Sequence, residues 1–206
     1  MKRGLLMIGA LLLGPVLATA GSAKFIGTWK NPNAGLIDVS AQKVATFVMN
    51  PDEGIRMGRE ETLAAEMRQR GTNAVAGYTV LPGELAKDQE KAKAFLQKAG
   101  ITGAVIIRGI GQREETYYVP DMWYSGPYYP TFWGYWNYGW AAVYSPGYVE
   151  SDTIVSFDVL VYSIEQNTLL WAGRCEITNP KDVRKVAKDL ADEAGKQMRK
   201  AGLLKK

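Results

Sequence analysis

The chain contains no histidine. That absence removes the commonest general base, the commonest zinc ligand and every Ser-His or Cys-His catalytic pair. It contains one cysteine, Cys175, so no internal disulfide can form. No cysteine stands just after the N-terminal apolar run, so no lipid attachment is expected there. Beyond that run no apolar stretch reaches the ~20 residues that cross a bilayer. Basic residues form no block interleaved with aromatics, and the net charge of +4 is spread along 206 residues, so nucleic acid is not an expected partner. Gly109-Ile110-Gly111 lacks the third glycine and the following helix of a dinucleotide site. There is no phosphate-loop lysine motif and no acidic cluster at calcium-loop spacing. The expectation is a non-enzymatic protein with no cofactor and no metal.

What is present is enough for a fold. Apolar residues make up 47% and charged residues 22%, which suits a globular core. Residues 1–23 read as a secretory signal. Lys2 and Arg3 precede a short apolar run, and Ala18-Thr19-Ala20 or Gly21-Ser22-Ala23 offers the cleavage site. Ala20 and Ala23 both remain open as its end. The expected location is periplasmic or secreted, with outer-membrane association as a variant of that reading.

Residues 24–42, with Pro32 and scattered Asn and Gly, read as an irregular lead-in. A single α/β domain is then expected over 43–204. Lys43–Met49 is strand-like, and Arg56–Arg70 is helical and closed by Gly71. Ala74–Leu81 is a second strand-like run, and Leu85–Ala99 a second helix, with Leu85, Ala92, Phe95, Leu96 and Ala99 on one stripe. Gly103–Ile110 is a third strand. Thr153–Ile164 alternates, Glu165-Gln166-Asn167 turns, and Leu169, Trp171, Gly173, Cys175 and Ile177 share a buried face opposite Arg174 and Glu176. Cys175 is therefore expected as a small core residue. A final helix begins at Asn179 as N-cap, with Pro180 in its first turn and a stripe of Val183, Val186, Leu190, Ala194 and Met198. The predicted fold is α/β with a mixed sheet of about five strands and three helices, in the order β-α-β-α-β-insert-β-β-α. Glu60-Glu61 and Glu114-Glu115 are paired carboxylates, but adjacent residues point in different directions, and both pairs read as solvated surface rather than as acid/base machinery.

Gly103–Gly109, Val155–Ile164 and Thr168–Gly173 together carry a resemblance. Tyr162-Ser163, Thr168, Leu170-Trp171 and Gly173 match a hairpin pattern in which a Leu-Trp-x-Gly follows the turn. Leu169 stands where that pattern has glycine. The chain resembles small bacterial envelope proteins and lipoproteins, mostly uncharacterised, whose domain is like the N-terminal domain of TolB or the core of CsgG. The resemblance implies a fold and an envelope location. The missing lipid-attachment cysteine departs from it.

The most unusual feature is the insert at 117–148. Fourteen of the chain's aromatic residues fall in these 32 positions, beside a single charge, Asp121. Proline and glycine punctuation forbids a long helix there. Tyr and Trp suit an interface, being apolar in body and polar at one end. The candidate partner-binding residues are Trp123, Tyr124, Tyr128, Tyr129, Phe132, Trp133, Tyr135, Trp136, Tyr138 and Trp140. Four roles stay open: a lid on the sheet, a surface for an envelope protein or a second copy, a membrane-interface loop, or a glycan platform. The expected function is binding or assembly at the cell envelope. The alternative from another class is a hydrolase or transferase of envelope glycan or lipid whose acidic residues the sequence does not identify.

Overall fold

The computed structural model describes residues 21–85, 88–119 and 148–205. Six strands and four helices are seen there, in the order β1 Lys24–Lys30, β2 Lys43–Met49, α1 Glu53–Gln69, β3 Asn73–Ala76, α2 Gly77–Val80, α3 Gln89–Lys98, β4 Gly103–Val119, β5 Tyr148–Ser163, β6 Thr168–Thr178 and α4 Val183–Lys200. One mixed sheet has the order β1-β6-β5-β4-β2-β3. The pairs β2–β3 and β2–β4 are parallel, and the other three are antiparallel. The α/β class and mixed sheet match the sequence reading.

The helices have the ends their sequences specify. Asp52 caps α1 by accepting from the Ile55 amide at 2.8 Å, and Gly71 leaves it at φ +82. Asp88 caps α3 and Asp182 caps α4, whose exit is Gly202 at φ +71. Helices α1 and α4 run side by side over one face of the sheet. Their stripes, Leu63 and Met67 from α1, and Val186, Leu190, Ala194 and Met198 from α4, pack on Val48, Ile107, Val159, Trp171, Cys175 and Ile177. On the second face α3 covers only one end, where Leu96 meets Ala45, Leu81 and Ile101. Strand β2 is thus covered on both faces, and Val44, Ala45, Thr46 and Val48 are all buried.

Several expectations are corrected. Lys24–Lys30, read as irregular, is an edge strand on β6. Its alternation is hidden by a bulge at Ile26, which puts Phe25 on the core side and leaves Ile26 and Trp29 exposed. The run Ala74–Leu81 is a strand only to Ala76. Gly77 then starts one helical turn against β2, where any Cβ would meet the Phe47 ring and the Thr46 carbonyl oxygen. Leu169 does not share the face of Trp171. Leu170 is an extra residue, so Trp171 pairs with Val161 but Leu169 pairs with Tyr162 on the opposite face. Asn179 is not the N-cap of the last helix. It sits at φ +48 and exchanges hydrogen bonds with Thr153, amide to carbonyl at 2.7 Å and amide to Asn179 Oδ1 at 2.8 Å. It closes the β5–β6 ladder, and the cap falls three residues later.

Glu60 is buried rather than solvated, at 1% exposure. β3 stops opposite Thr46, so the Val48 amide has no strand partner on that side. Glu60 Oε1 accepts from it at 3.2 Å, and Oε2 accepts from the Tyr78 amide at 2.7 Å. Arg56 donates to Oε1 at 3.3 Å, and Thr46 Oγ1 donates to the Glu60 carbonyl at 2.8 Å. One carboxylate thereby joins β2, α1 and α2. Glu61, by contrast, is half-exposed beside Arg68. Removing Glu60 strands two buried amides and leaves Arg56 without a buried partner. Urea unfolding of Glu60→Ala should show a loss of roughly 3–5 kcal/mol, whereas Glu61→Ala should stay within about 0.5 kcal/mol of the parent.

Gly173 explains the Leu-Trp-x-Gly pattern. A Cβ there would lie 2.5 Å from both a Trp171 and a Phe25 ring carbon. The Trp171 ring covers Gly173 and meets Phe25 edge to face, with centroids 5.3 Å apart. This contact fastens β1 to the sheet. Gly173→Ala should cost about 1–3 kcal/mol through overpacking, and amide exchange should rise first in Lys24–Lys30. An unchanged midpoint would show that the two rings have room to move.

Candidate functional site

Three features compete as the working part of the molecule: the far end of the β4–β5 hairpin, the second face of the sheet, and the space beneath α1 and α4. The hairpin is the longest pairing, running from Gly103 opposite Ser163 to Val119 opposite Tyr148. Its neighbours stop earlier. β2 ends opposite Arg108, and β6 ends at Thr178 opposite Ile154, with Asn179 closing on Thr153. Five further pairs, from Glu115–Asp152 to Val119–Tyr148, continue as a two-stranded ribbon, which at ~3.4 Å per residue reaches about 17 Å past the body. A bulge at Ile110 falls just past the end of β2, where β4 becomes an edge strand beside β5.

The expected insert 117–148 therefore begins inside β4 and ends inside β5. Tyr117 stands on the ribbon, 44% exposed, and its hydroxyl pKa is raised by burial and by the Asp152 and Glu150 carboxylates. The ten candidate residues, Trp123, Tyr124, Tyr128, Tyr129, Phe132, Trp133, Tyr135, Trp136, Tyr138 and Trp140, lie outside the described residues. What the structure supplies is their attachment point, since both ends of that segment leave from the ribbon tip.

The second face carries two cross-strand rows. Ile106, Leu160, Ala172 and Trp29 align as an apolar row, and Arg108, Asp158 and Arg174 align next to it. Asp158 bridges both arginines at 3.0 Å. One step on, Arg113 grips Glu176 with two hydrogen bonds at 2.6 and 3.0 Å and also reaches Glu115 at 3.1 Å. Burial alone would raise the Asp158 carboxyl, but the guanidiniums of Arg174 and Arg108 outweigh it and hold it below the ordinary aspartate range. Hydrogen bonds from Arg113 hold Glu176 low as well. These carboxylates are ionised and occupied. Glu115 is an ion-pair partner on an exposed ribbon, where it stands opposite Asp152 and shares Arg113 with Glu176. Cys175 is fully buried, and burial pushes its thiol up to about 12, so no thiolate nucleophile exists there.

Beneath the helices are two cavities. Leu63, Leu190 and Ile107 border both and form the plug between them. The lower one, about 530 Å³, lies towards the C-terminal halves of α1 and α4. Its rim is tied across by Arg70, which bonds Asp192 at 2.7 Å and Glu66 at 2.8 Å. The upper one, about 670 Å³, lies between the two helix starts and the base of the ribbon. Sequence reasoning missed both, since each is lined from segments far apart in the chain.

No family model matches the chain, and no curated protein does. Solved structures do resemble it at a distance. A PelC dodecamer from Paraburkholderia phytofirmans has 10% identity over 84% of this chain and 93% of that one, with a TM-score of 0.45. A point-substituted PelC dodecamer from the same organism has 11% identity over 84% and 94%, again with a TM-score of 0.45. Lipoprotein GNA1162 from Neisseria meningitidis has 13% identity over 77% and 99%, with a TM-score of 0.41. At this level the likenesses carry nothing about what the chain binds. No helix among the described residues is long and apolar enough to cross a membrane.

The charged rows give a pH test. A carboxylate whose pKa is lower in the folded state stabilises the fold fully above its unfolded value, and that stabilisation is lost as pH falls through the folded value. For Asp158 and Glu176 it is complete above the ordinary 3.8 and 4.5 and disappears below them. The melting temperature should fall as pH drops from about 5 towards 2. Asp158→Asn should melt lower than the parent at neutral pH and converge with it in acid. Parallel curves would show that the row contributes nothing.

Proposed function

We propose that this chain is an exported cell-envelope protein that acts by binding or assembly, not catalysis, and that its aromatic segment is the contact surface. The ribbon is the observation that carries this reading. Two strands continue beyond every neighbour and hold both ends of a Tyr- and Trp-rich segment away from the body. A segment serving only to complete the core would not need such an arm. Gly21, whose amide donates to the Thr178 carbonyl at 2.9 Å, leaves the sheet at the same end. The signal-like residues 1–20 and the aromatic segment are thus joined to one end of the molecule. The partner class favoured is a protein, either a second copy or another envelope component, because Tyr and Trp give large contact area at low entropic cost.

Light-scattering mass of the mature protein, beside a variant with residues 121–147 replaced by a short Gly/Ser linker, tests this. The expected result is a concentration-dependent oligomer, or a co-purifying partner, that is lost in a variant which melts like the parent. A monomeric parent whose variant unfolds would make the segment part of the core and end the proposal. A blue shift of tryptophan emission on adding lipid vesicles would move the contact to the membrane surface. N-terminal sequencing of the exported protein should begin after Ala20 or Ala23, and an intact Met1 would count against cleavage.

A further inference from the structure

The upper cavity has the form of a ligand site. Its floor is Ile107, Val155 and Phe157, and its walls are Leu63 from α1 and Val186 and Leu190 from α4. At about 670 Å³ it falls within the ~300–1,000 Å³ typical of small-ligand pockets. The space exists because Gly109, two residues beyond Ile107 on the same face, has no side chain, and a Cβ there would meet nothing within 4 Å. The lip is apolar too, with Met49 54% and Val183 49% exposed. Two cations, Arg59 and Lys181, also border the opening. Neither forms an ion pair with a carboxylate among the described residues, although every other arginine bordering either cavity or the charged rows, apart from Arg199, does. The one acidic neighbour, Asp182, is occupied in accepting from the Arg184 and Lys185 amides. The helix ends are thus already capped, and any anion at the mouth must be held by the two side chains.

An apolar chamber with a greasy lip and two uncommitted cations is complementary to a molecule with one long apolar tail and one negative head. We infer that the upper cavity binds a single-chain acyl carboxylate. The tail lies between α1, α4 and Ile107, and the carboxylate meets Arg59 and Lys181. The tail supplies the affinity through buried area, and the head supplies orientation. This site is separate from the aromatic segment proposed as the contact surface.

Titration of the mature full-length protein with laurate and with dodecanol, each below its aggregation concentration, tests the inference. The parent should bind one laurate saturably and bind dodecanol more weakly. Gly109 has no positive φ and a Cβ there meets nothing within 4 Å, so Gly109→Ile should fill the floor, melt no lower than the parent and lose laurate affinity by about tenfold or more. The exposed pair Arg59→Glu with Lys181→Glu should weaken laurate by about fivefold or more and leave dodecanol unchanged. The inference fails if the parent shows no saturable binding, if folded Gly109→Ile binds like the parent, or if laurate affinity ignores the charge reversal. It fails also if only the variant with 121–147 replaced binds laurate, because the chain's own aromatic segment would then be the occupant.

Discussion

The antiparallel pairing of β4 with β5 is the constraint on which the rest is built. It sets the middle of the sheet, since β2 attaches to one side of it and β6 to the other. Its polarity fixes the helices. β4 runs out through the ribbon base, β6 ends there, and β2 ends towards the same side because it is parallel to β4. The connections into α1 and α4 therefore start at the same end, and the two helices must run down the same face. The bulge at Ile110 then separates two uses of one strand: before it β4 lies between β2 and β5, and after it β4 is an edge strand that continues into the arm from Glu115. A register slip of one residue would put Ile107 and Val159 in solvent and Arg108 and Asp158 under the helices. The alternation of Val155 to Val161 against Ser156 and Asp158 makes that slip prohibitive.

What could be read from the sequence was what is decided locally. The alternation of β5, the parity of Trp171, Gly173, Cys175 and Ile177, and the stripes of α1 and α4 all follow from side-chain period. The errors share one cause, a distant group overriding a local preference. Ala74–Leu81 looks like a strand throughout, but Glu60 from α1 takes the Tyr78 amide and makes a helical turn cheap after Ala76. Asn179 and Asp182 are both good caps in isolation, and Thr153 claims the first. Leu169 has the right parity until the Leu170 bulge changes it. β1 has no clean alternation because it is an edge strand with its own bulge at Ile26. Its place is set by Phe25 finding the Trp171 ring 5.3 Å away. The cavities are the extreme case, as their walls come from five or more segments.

The carboxylates show how chemistry was legible in type and not in role. The adjacent glutamate pairs at 60–61 and 114–115 were the paired carboxylates weighed for acid/base work. The structure gives Glu60 four polar contacts in the interior, gives Glu61 an exposed arginine, and ties Glu115 to Arg113. The buried Glu60 carboxylate accepts from two backbone amides and a guanidinium, so its two oxygens are engaged in holding the fold. Its value is structural, since one side chain with two directed acceptor oxygens can end a strand and start a helix at one point.

The two ends of the molecule are closed differently. At the lower end Arg70 locks α1 to α4 through Asp192, the Ile37 amide donates to the Leu203 carbonyl at 2.8 Å, and the C-terminal residues close over the core. At the upper end a cavity opens beside Gly109, Arg59 and Lys181 stand without an ion pair among the described residues, Met49 and Val183 are exposed, and the ribbon projects. Charged pairs could have closed this end as they closed the other, at little cost in a solvated rim. Leaving it apolar and cationic keeps surface exposed that a monomer gains nothing by exposing. The asymmetry is most economically explained if this one end, with its arm and its open chamber, is where the protein meets other molecules, while the opposite end serves the fold.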